Sequence, residues 1–191
     1  MAKDVYAFDE CSILHSCELE IPNSHSIYFP KPRISHKNFP KLKSLFDKLN
    51  KNSIPKYRFE PNNMEINIIK AANELLAKQG SQMIVFSVLK DHFSQELYTF
   101  SQKIKGSFEI IQKSEDFEEI KKIFVENKRP LGKERKMPED DDLMILAGYF
   151  AFKSDGAKYL ISEDEHFWGY DDLIQDKFEI KVVKEWECDK L

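Results

Sequence analysis

The sequence predicts an α/β fold, a three-layer α/β/α sandwich around a central, mostly parallel sheet. Short apolar, β-branched runs alternate with longer segments of helical periodicity, the pattern of parallel strands linked by helical crossovers. One run, "MIVFSVL" at 83–89, is apolar on both alternating faces, as a strand covered by helices on either side must be. Several runs also lead into acids, and ligands in such sheets bind beyond the carboxyl ends of the strands.

Taken in order, "DVYAF" (4–8) is a buried strand ending on Asp9. Residues 20–60 are rich in proline, asparagine, serine and lysine. They read as an irregular basic insertion, with one helix at about 40–50, within a single domain spanning 1–191. "NNMEINIIKAANELLAKQG" (62–80) has an asparagine cap, helical spacing at Ile68, Ala72, Leu75 and Leu76, and a stop at Gly80. After the strand at 83–89, a helix over about 91–105 carries Phe93, Leu97, Phe100 and Ile104 on one face. "FEIIQ" (108–112) is the next strand, followed by a helix over about 115–127 with Phe117, Ile120 and Phe124 on one side. "PEDDDLMILAGYF" (138–150) begins another helix, and "KYLIS" (158–162) and "FEIKVV" (178–183) are the last strands.

Composition bounds the class. With 41% hydrophobic and 32% charged residues, a chain of 191 residues has the make-up of one ordinary globular domain. No apolar run approaches the ~20 residues of a membrane span. The start, "MAKDVYAFDE", sets an acid inside its apolar stretch and lacks a small-residue cleavage site, so it does not read as a signal peptide. A cytoplasmic location is expected. Three cysteines, Cys11, Cys17 and Cys188, make no disulfide framework. Cys11, His15 and Cys17 lie close in sequence but lack a fourth zinc ligand at any recognised spacing, and read as ordinary residues.

The net charge of −4 does not mark a nucleic-acid binder, but the charge is unevenly distributed. Between residues 28 and 60 the bases Lys31, Arg33, Lys37, Lys41, Lys43, Lys48, Lys51, Lys56 and Arg58 face only Asp47 and Glu60. "NKRPLGKERK" (127–136) brings Lys128, Arg129, Lys133, Arg135 and Lys136 directly before the acidic helix start. Flanking an anionic metal site, such stretches would hold a polyanion such as RNA against it.

The acids follow the strand ends. Asp9 closes the first strand, and Asp164 stands two residues beyond "KYLIS". At 100° per residue, Asp142 falls on the face of Ile145, Leu146, Tyr149 and Phe150, whereas Asp140 and Asp141 point away. The same test favours Glu96, beside Phe93, Leu97 and Phe100, while Asp91 reads as a helix N-cap. Carboxylates gathered without basic partners repel one another unless a cation sits between them. Oxygen donors of this kind suit Mg²⁺ or Mn²⁺ and metal-assisted phosphodiester hydrolysis, against the plainer reading of scattered solvated acids.

At these residues the sequence resembles a PIN domain, the fold of many single-subunit ribonucleases. "VYAFDECSIL" resembles the family's first motif, "DLMILAGYF" its third-acid helix, and "YLISEDEHF" its final motif. The resemblance runs from Val5 to about Val183, with 20–60 outside the common pattern. It implies that Asp9, Asp142 and Asp164 bind Mg²⁺ or Mn²⁺ and are catalytic. It implies a second-motif acid as well, Glu96 or else Asp91, and Ser162 hydrogen-bonding near the metal. Departures are Glu10, where threonine is common, and His166, where a further aspartate is common. His166 reads as a packing or surface histidine, with a proton shuttle as the alternative.

The expected activity is therefore a metal-dependent endoribonuclease, either a toxin held by an antitoxin partner or an RNA-processing enzyme. Homodimerisation is common in such proteins, and no membrane partner is expected. The alternative is a catalytically inactive adaptor that binds RNA or protein through its basic insertion. A haloacid-dehalogenase-like phosphatase fits poorly, because the second aspartate it needs is Cys11 here.

Overall fold

The computed structural model describes residues 3–20, 33–77, 83–127 and 136–191. Five parallel strands form the central sheet: β1 (Val5–Phe8), β4 (Lys56–Glu60), β5 (Glu109–Gln112), β6 (Lys158–Ser162) and β7 (Ile180–Lys184), in the order β5-β4-β1-β6-β7. β1 lies at the centre, pairing Val5 with Lys158 on one side and Tyr6 with Lys56 on the other. A small antiparallel pair, β2 (Glu18–Glu20) with β3 (Arg33–Ser35), stands apart from it.

Alternation along β1 divides the core into two layers. Tyr6 and Phe8 pack with Ile13 and Leu14 of α1 (Glu10–His15), Leu42, Leu45 and Leu49 of α2 (Phe39–Lys51), and Phe93 and Leu97 of α4 (Met83–Lys105). Val5 and Ala7 face the opposite way, towards Ile120 and Phe124 of α5 (Glu118–Glu126) and Leu146 and Tyr149 of α6 (Asp140–Ala151). Phe167 of α7 (Glu165–Trp168) and Ile174 of α8 (Asp171–Phe178) complete that layer. With helices on both faces, the fold is the expected three-layer sandwich, and no described helix is long and apolar enough to cross a membrane.

Two sequence expectations are corrected. Residues 83–89 are not a strand but the opening turns of α4, which packs beside α3 (Met64–Ala77). A short apolar run serves a buried strand or a buried helix equally, and periodicity alone does not separate them. The neighbour of β1 is instead "KYRFE", inside the stretch read as irregular. Its charged residues disguise it: Lys56 and Arg58 are both buried, Lys56 bonded to Asn50 and Arg58 to Glu60. The predicted stop at Gly80 lies outside the described residues.

Tyr149 ties α6 to the sheet. Its phenol is fully buried and shares one proton between the carbonyls of Val5 (3.0 Å) and Tyr159 (3.1 Å). Tyr149→Phe leaves those carbonyls without that donor, and is expected to cost about 1–2 kcal/mol in denaturant unfolding. A change of a few tenths would show that the bond is dispensable.

Candidate functional site

Three strand ends meet at one pocket of about 510 Å³, and a fourth stands behind its wall. Asp9 follows β1, Asn63 follows β4 and Asp164 follows β6, while Asp141 at the pocket wall pairs with Lys113, the residue after β5. Asp142 and Glu139 enter from the start of α6, and Asn67 and Lys70 from one face of α3. This is the carboxyl edge of the sheet, where crossover connections leave an open crevice.

Each of the three aspartates expected at this site is held by a helix start. Asp9 caps α1, its Oδ1 accepting the Ser12 N–H at 2.6 Å. Asp142 completes a reciprocal cap with Glu139, accepting the Glu139 N–H at 2.9 Å. Asp164 begins α7 and accepts the His166 N–H at 2.8 Å. Ser162 joins two of them: it donates its hydroxyl proton to Asp9 and accepts the Asp164 N–H at 2.9 Å. His166 joins the other pair, with Nδ1 at 2.8 Å from Asp142 and 3.4 Å from Asp164. Donor atoms of Asp142, Asp164 and His166 all lie within 4.8 Å of one another, so a divalent cation fits among them.

The electrostatics agree with that fit. Asp9 is only 7% exposed, and burial together with the nearby charge of Glu185 pushes its pKa up to about 7, against the lowering effect of the Ser162 and Ser12 bonds. Burial also raises Asp142, helped by the charge of Asp164 and opposed by the Glu139 N–H and by His166. Glu10 is likewise raised by burial, although it accepts the Asn63 N–H at 2.9 Å and the Asn67 amide at 2.6 Å. Carboxylates destabilised in their charged form are stabilised by a bound cation.

A stability prediction follows for Asp9. A carboxyl whose folded pKa lies above its unfolded value stabilises the fold when protonated, and that contribution is lost as pH rises through about 7. In chelator-treated protein, Asp9→Asn is expected to be more stable than wild type at about pH 8, by about 1 kcal/mol or more in denaturant unfolding, with the gap closing near pH 4. A wild type more stable than the variant at the higher pH would contradict this.

Not every expected residue arrives. Glu96 lies in a separate groove of about 380 Å³ with Cys17, Glu18 and Glu20, its carboxylate 3.4 Å from His92 Nε2. Asp91 is exposed inside α4 and caps nothing. The cause is the misread strand: since 83–89 is helical, no sheet edge delivers Asp91 or Glu96 to the pocket. Lys128, Arg129, Lys133 and Arg135 lie outside the described residues, and Lys136 pairs with Glu165 at 3.0 Å. Of the earlier basic stretch, Arg33 pairs with Glu18 and Glu20, Lys37 with Glu163, and Lys41 with Asp189, while Lys56 and Arg58 are buried.

The fold adds other residues in and beside the pocket. His166, for which the sequence offers a packing or surface place with a proton shuttle as the alternative, touches two of the acids. Asn63, just before α3, and Asn67 and Lys70 within it recur at helical spacing, a polar stripe visible in the sequence once that helix is drawn. Lys113, its side chain only 2% exposed, lies 2.8 Å from Asp141 and 3.9 Å from Glu10. Comparison with protein-family models, with curated proteins and with solved structures finds no match to this chain.

Proposed function

We propose that this protein hydrolyses RNA phosphodiester bonds with Mg²⁺ or Mn²⁺ held by Asp9, Asp142 and Asp164, as its resemblance to PIN domains implies. The observation that carries the reading is the meeting of these three acids with His166 in one open pocket at the sheet edge. When bound, the cation supplies Lewis-acid polarisation of the phosphodiester and of the attacking water.

The protein groups have separable tasks. Ser162 sets the spacing of Asp9 and Asp164 through its two hydrogen bonds. His166 orients Asp142 through Nδ1, with Asp164 also within reach. Lys70, exposed at the pocket wall, is positioned to meet a phosphate, while Lys113 offsets the charge of Glu10 and Asp141.

The test is cleavage of single-stranded and structured RNAs by the purified chain, with Mg²⁺ or Mn²⁺ and after chelation. Cation-dependent internal cuts are expected, restored when the cation is returned. Cleavage unaffected by chelation would overturn the metal assignment. Cation-independent RNA binding without cleavage would replace the enzyme reading by the adaptor.

A further inference from the structure

A second cluster of ligating side chains lies outside the pocket just described. His15 comes from the end of α1, His36 from the turn before α2, Glu163 from the residue after β6, and Glu185 from the C-terminal 3₁₀ helix (Glu185–Lys190). None of the four lines the pocket of Asp9, Asp142 and Asp164. We propose that these four side chains form a binding site for a transition-metal cation of the zinc class, separate from the acid pocket and independent of the reading given above for it.

The geometry supports one shared ion. One donor atom from each residue lies within 4.8 Å of all the others. Tetrahedral zinc with bonds of about 2.0–2.2 Å separates its ligand atoms by roughly 3.3–3.6 Å. Here His15 Nδ1 lies 3.4 Å from Glu163 Oε2 and 3.0 Å from Glu185 Oε2. His36 Nε2 lies 3.4 Å from Glu163 Oε2, and its Nδ1 lies 3.9 Å from Glu185 Oε2. The three edges that use His15 Nδ1 and His36 Nε2, at 3.0–3.4 Å, lie within or just below the tetrahedral range. The two imidazole rings stack at 3.7 Å, nearly parallel at 11°, so one ring must tilt out of the stack for both in-plane lone pairs to reach one ion.

The donor set is selective. Two imidazoles and two carboxylates suit zinc and its first-row neighbours, whereas magnesium and calcium prefer oxygen alone. Supporting contacts hold the deepest ligand in place: Glu185, fully buried, accepts Ser12 Oγ at 2.7 Å and the Asn38 amide at 2.9 Å. The cluster opens to solvent at Glu163, whose side chain is 23% exposed, which gives an ion a way in. Lys37, on an exposed side chain, occupies the other Glu163 oxygen at 2.8 Å and can swing aside. Hydrogen bonding to Glu185 alone would anchor the C-terminal helix. The addition of Glu163 Oε2, equidistant from both rings, turns that anchor into a ring of four donors. Zinc on His36 Nε2 places that ring's proton on Nδ1, so the Asn38 N–H that donates to Nδ1 at 3.3 Å gives way as the ring tilts, and zinc on His15 Nδ1 displaces the hydrogen bond to Glu185.

The experiment titrates Zn²⁺ alone into chelator-treated full chain, in competition with a chromophoric chelator. The forms compared are wild type, an Asp142→Asn/Asp164→Asn double variant, Glu163→Gln and His36→Gln. Zinc binding is expected to survive in the double variant and to weaken at least about tenfold in Glu163→Gln and His36→Gln. Equal affinity in all four forms, or loss in the double variant alone, would overturn the site. Should a variant fail to fold by circular dichroism, anomalous scattering at the zinc edge from wild-type crystals decides. A peak among the four side chains supports the site, and its absence there overturns it. RNA cleavage is read separately, so either proposal can fail without the other.

Discussion

Asp142→Asn is expected to reduce cation-dependent RNA cleavage at least about 100-fold, because removing one charged ligand weakens the Lewis-acid contribution by several kcal/mol. The same change keeps an amide oxygen able to accept the Glu139 N–H that Asp142 now accepts at 2.9 Å. The start of α6 is therefore expected to survive, with a stability cost of about 1 kcal/mol or less. The contrast separates this acid from its neighbours. Asp140 pairs with Lys121 and Asp141 with Lys113, both at 2.8 Å, and both acids are exposed, so Asp140→Asn is expected to leave cleavage within about twofold. Equal activity of wild type and Asp142→Asn in steady-state cleavage would remove Asp142 from the site.

A large loss of stability is expected at Gly148, where helix α6 meets the end of β5. A Cβ there would stand 2.0 Å from the Gln112 carbonyl oxygen and 3.1 Å from the Lys113 Cα, both backbone atoms that cannot rotate away. Helix α6 thus touches the end of β5 directly, and the Ser114 N–H to Met144 carbonyl bond of 3.0 Å fixes the same approach. Gly148→Ala is expected to cost about 3 kcal/mol, lowering the melting temperature by roughly 6–12 °C in a chain of this size. Gly106→Ala is the control, since its nearest neighbour would be an ordinary 3.7 Å contact with the Lys103 carbonyl. Similar melting temperatures for the two variants would contradict the packing described. Because α6 carries Asp142 and β5 leads to Lys113, the Gly148 variant is also expected to disturb the pocket.

The sandwich and half of the site are legible in the sequence for one reason. β1 and β6 are apolar, they are central, and each runs straight into the acid it delivers, Asp9 or Asp164. Asp142 is legible because its position on a helix face is fixed by the 3.6-residue period. What escapes is set by long-range partners. β4 is hidden because Lys56 and Arg58 are buried by pairing with Asn50 and Glu60, which local hydropathy does not reveal. The opening of α4 is mistaken for a strand because a short apolar run broken only by Ser87 shows no period, and that error carries Glu96 with it. His166 depends on α6 and α7 meeting across the sheet edge. The grouping of His15 with His36, Glu163 and Glu185 spans most of the chain and follows only from the fold.

Whether the acids at the sheet edge hold a divalent cation decides the function proposed for this chain. Anomalous scattering from wild-type crystals soaked in Mn²⁺ addresses this directly. The predicted result is a manganese peak within coordination distance of Asp142 and Asp164, absent from Asp142→Asn crystals under the same soak. Manganese bound elsewhere, with no peak between Asp142, Asp164 and His166, would contradict the central claim.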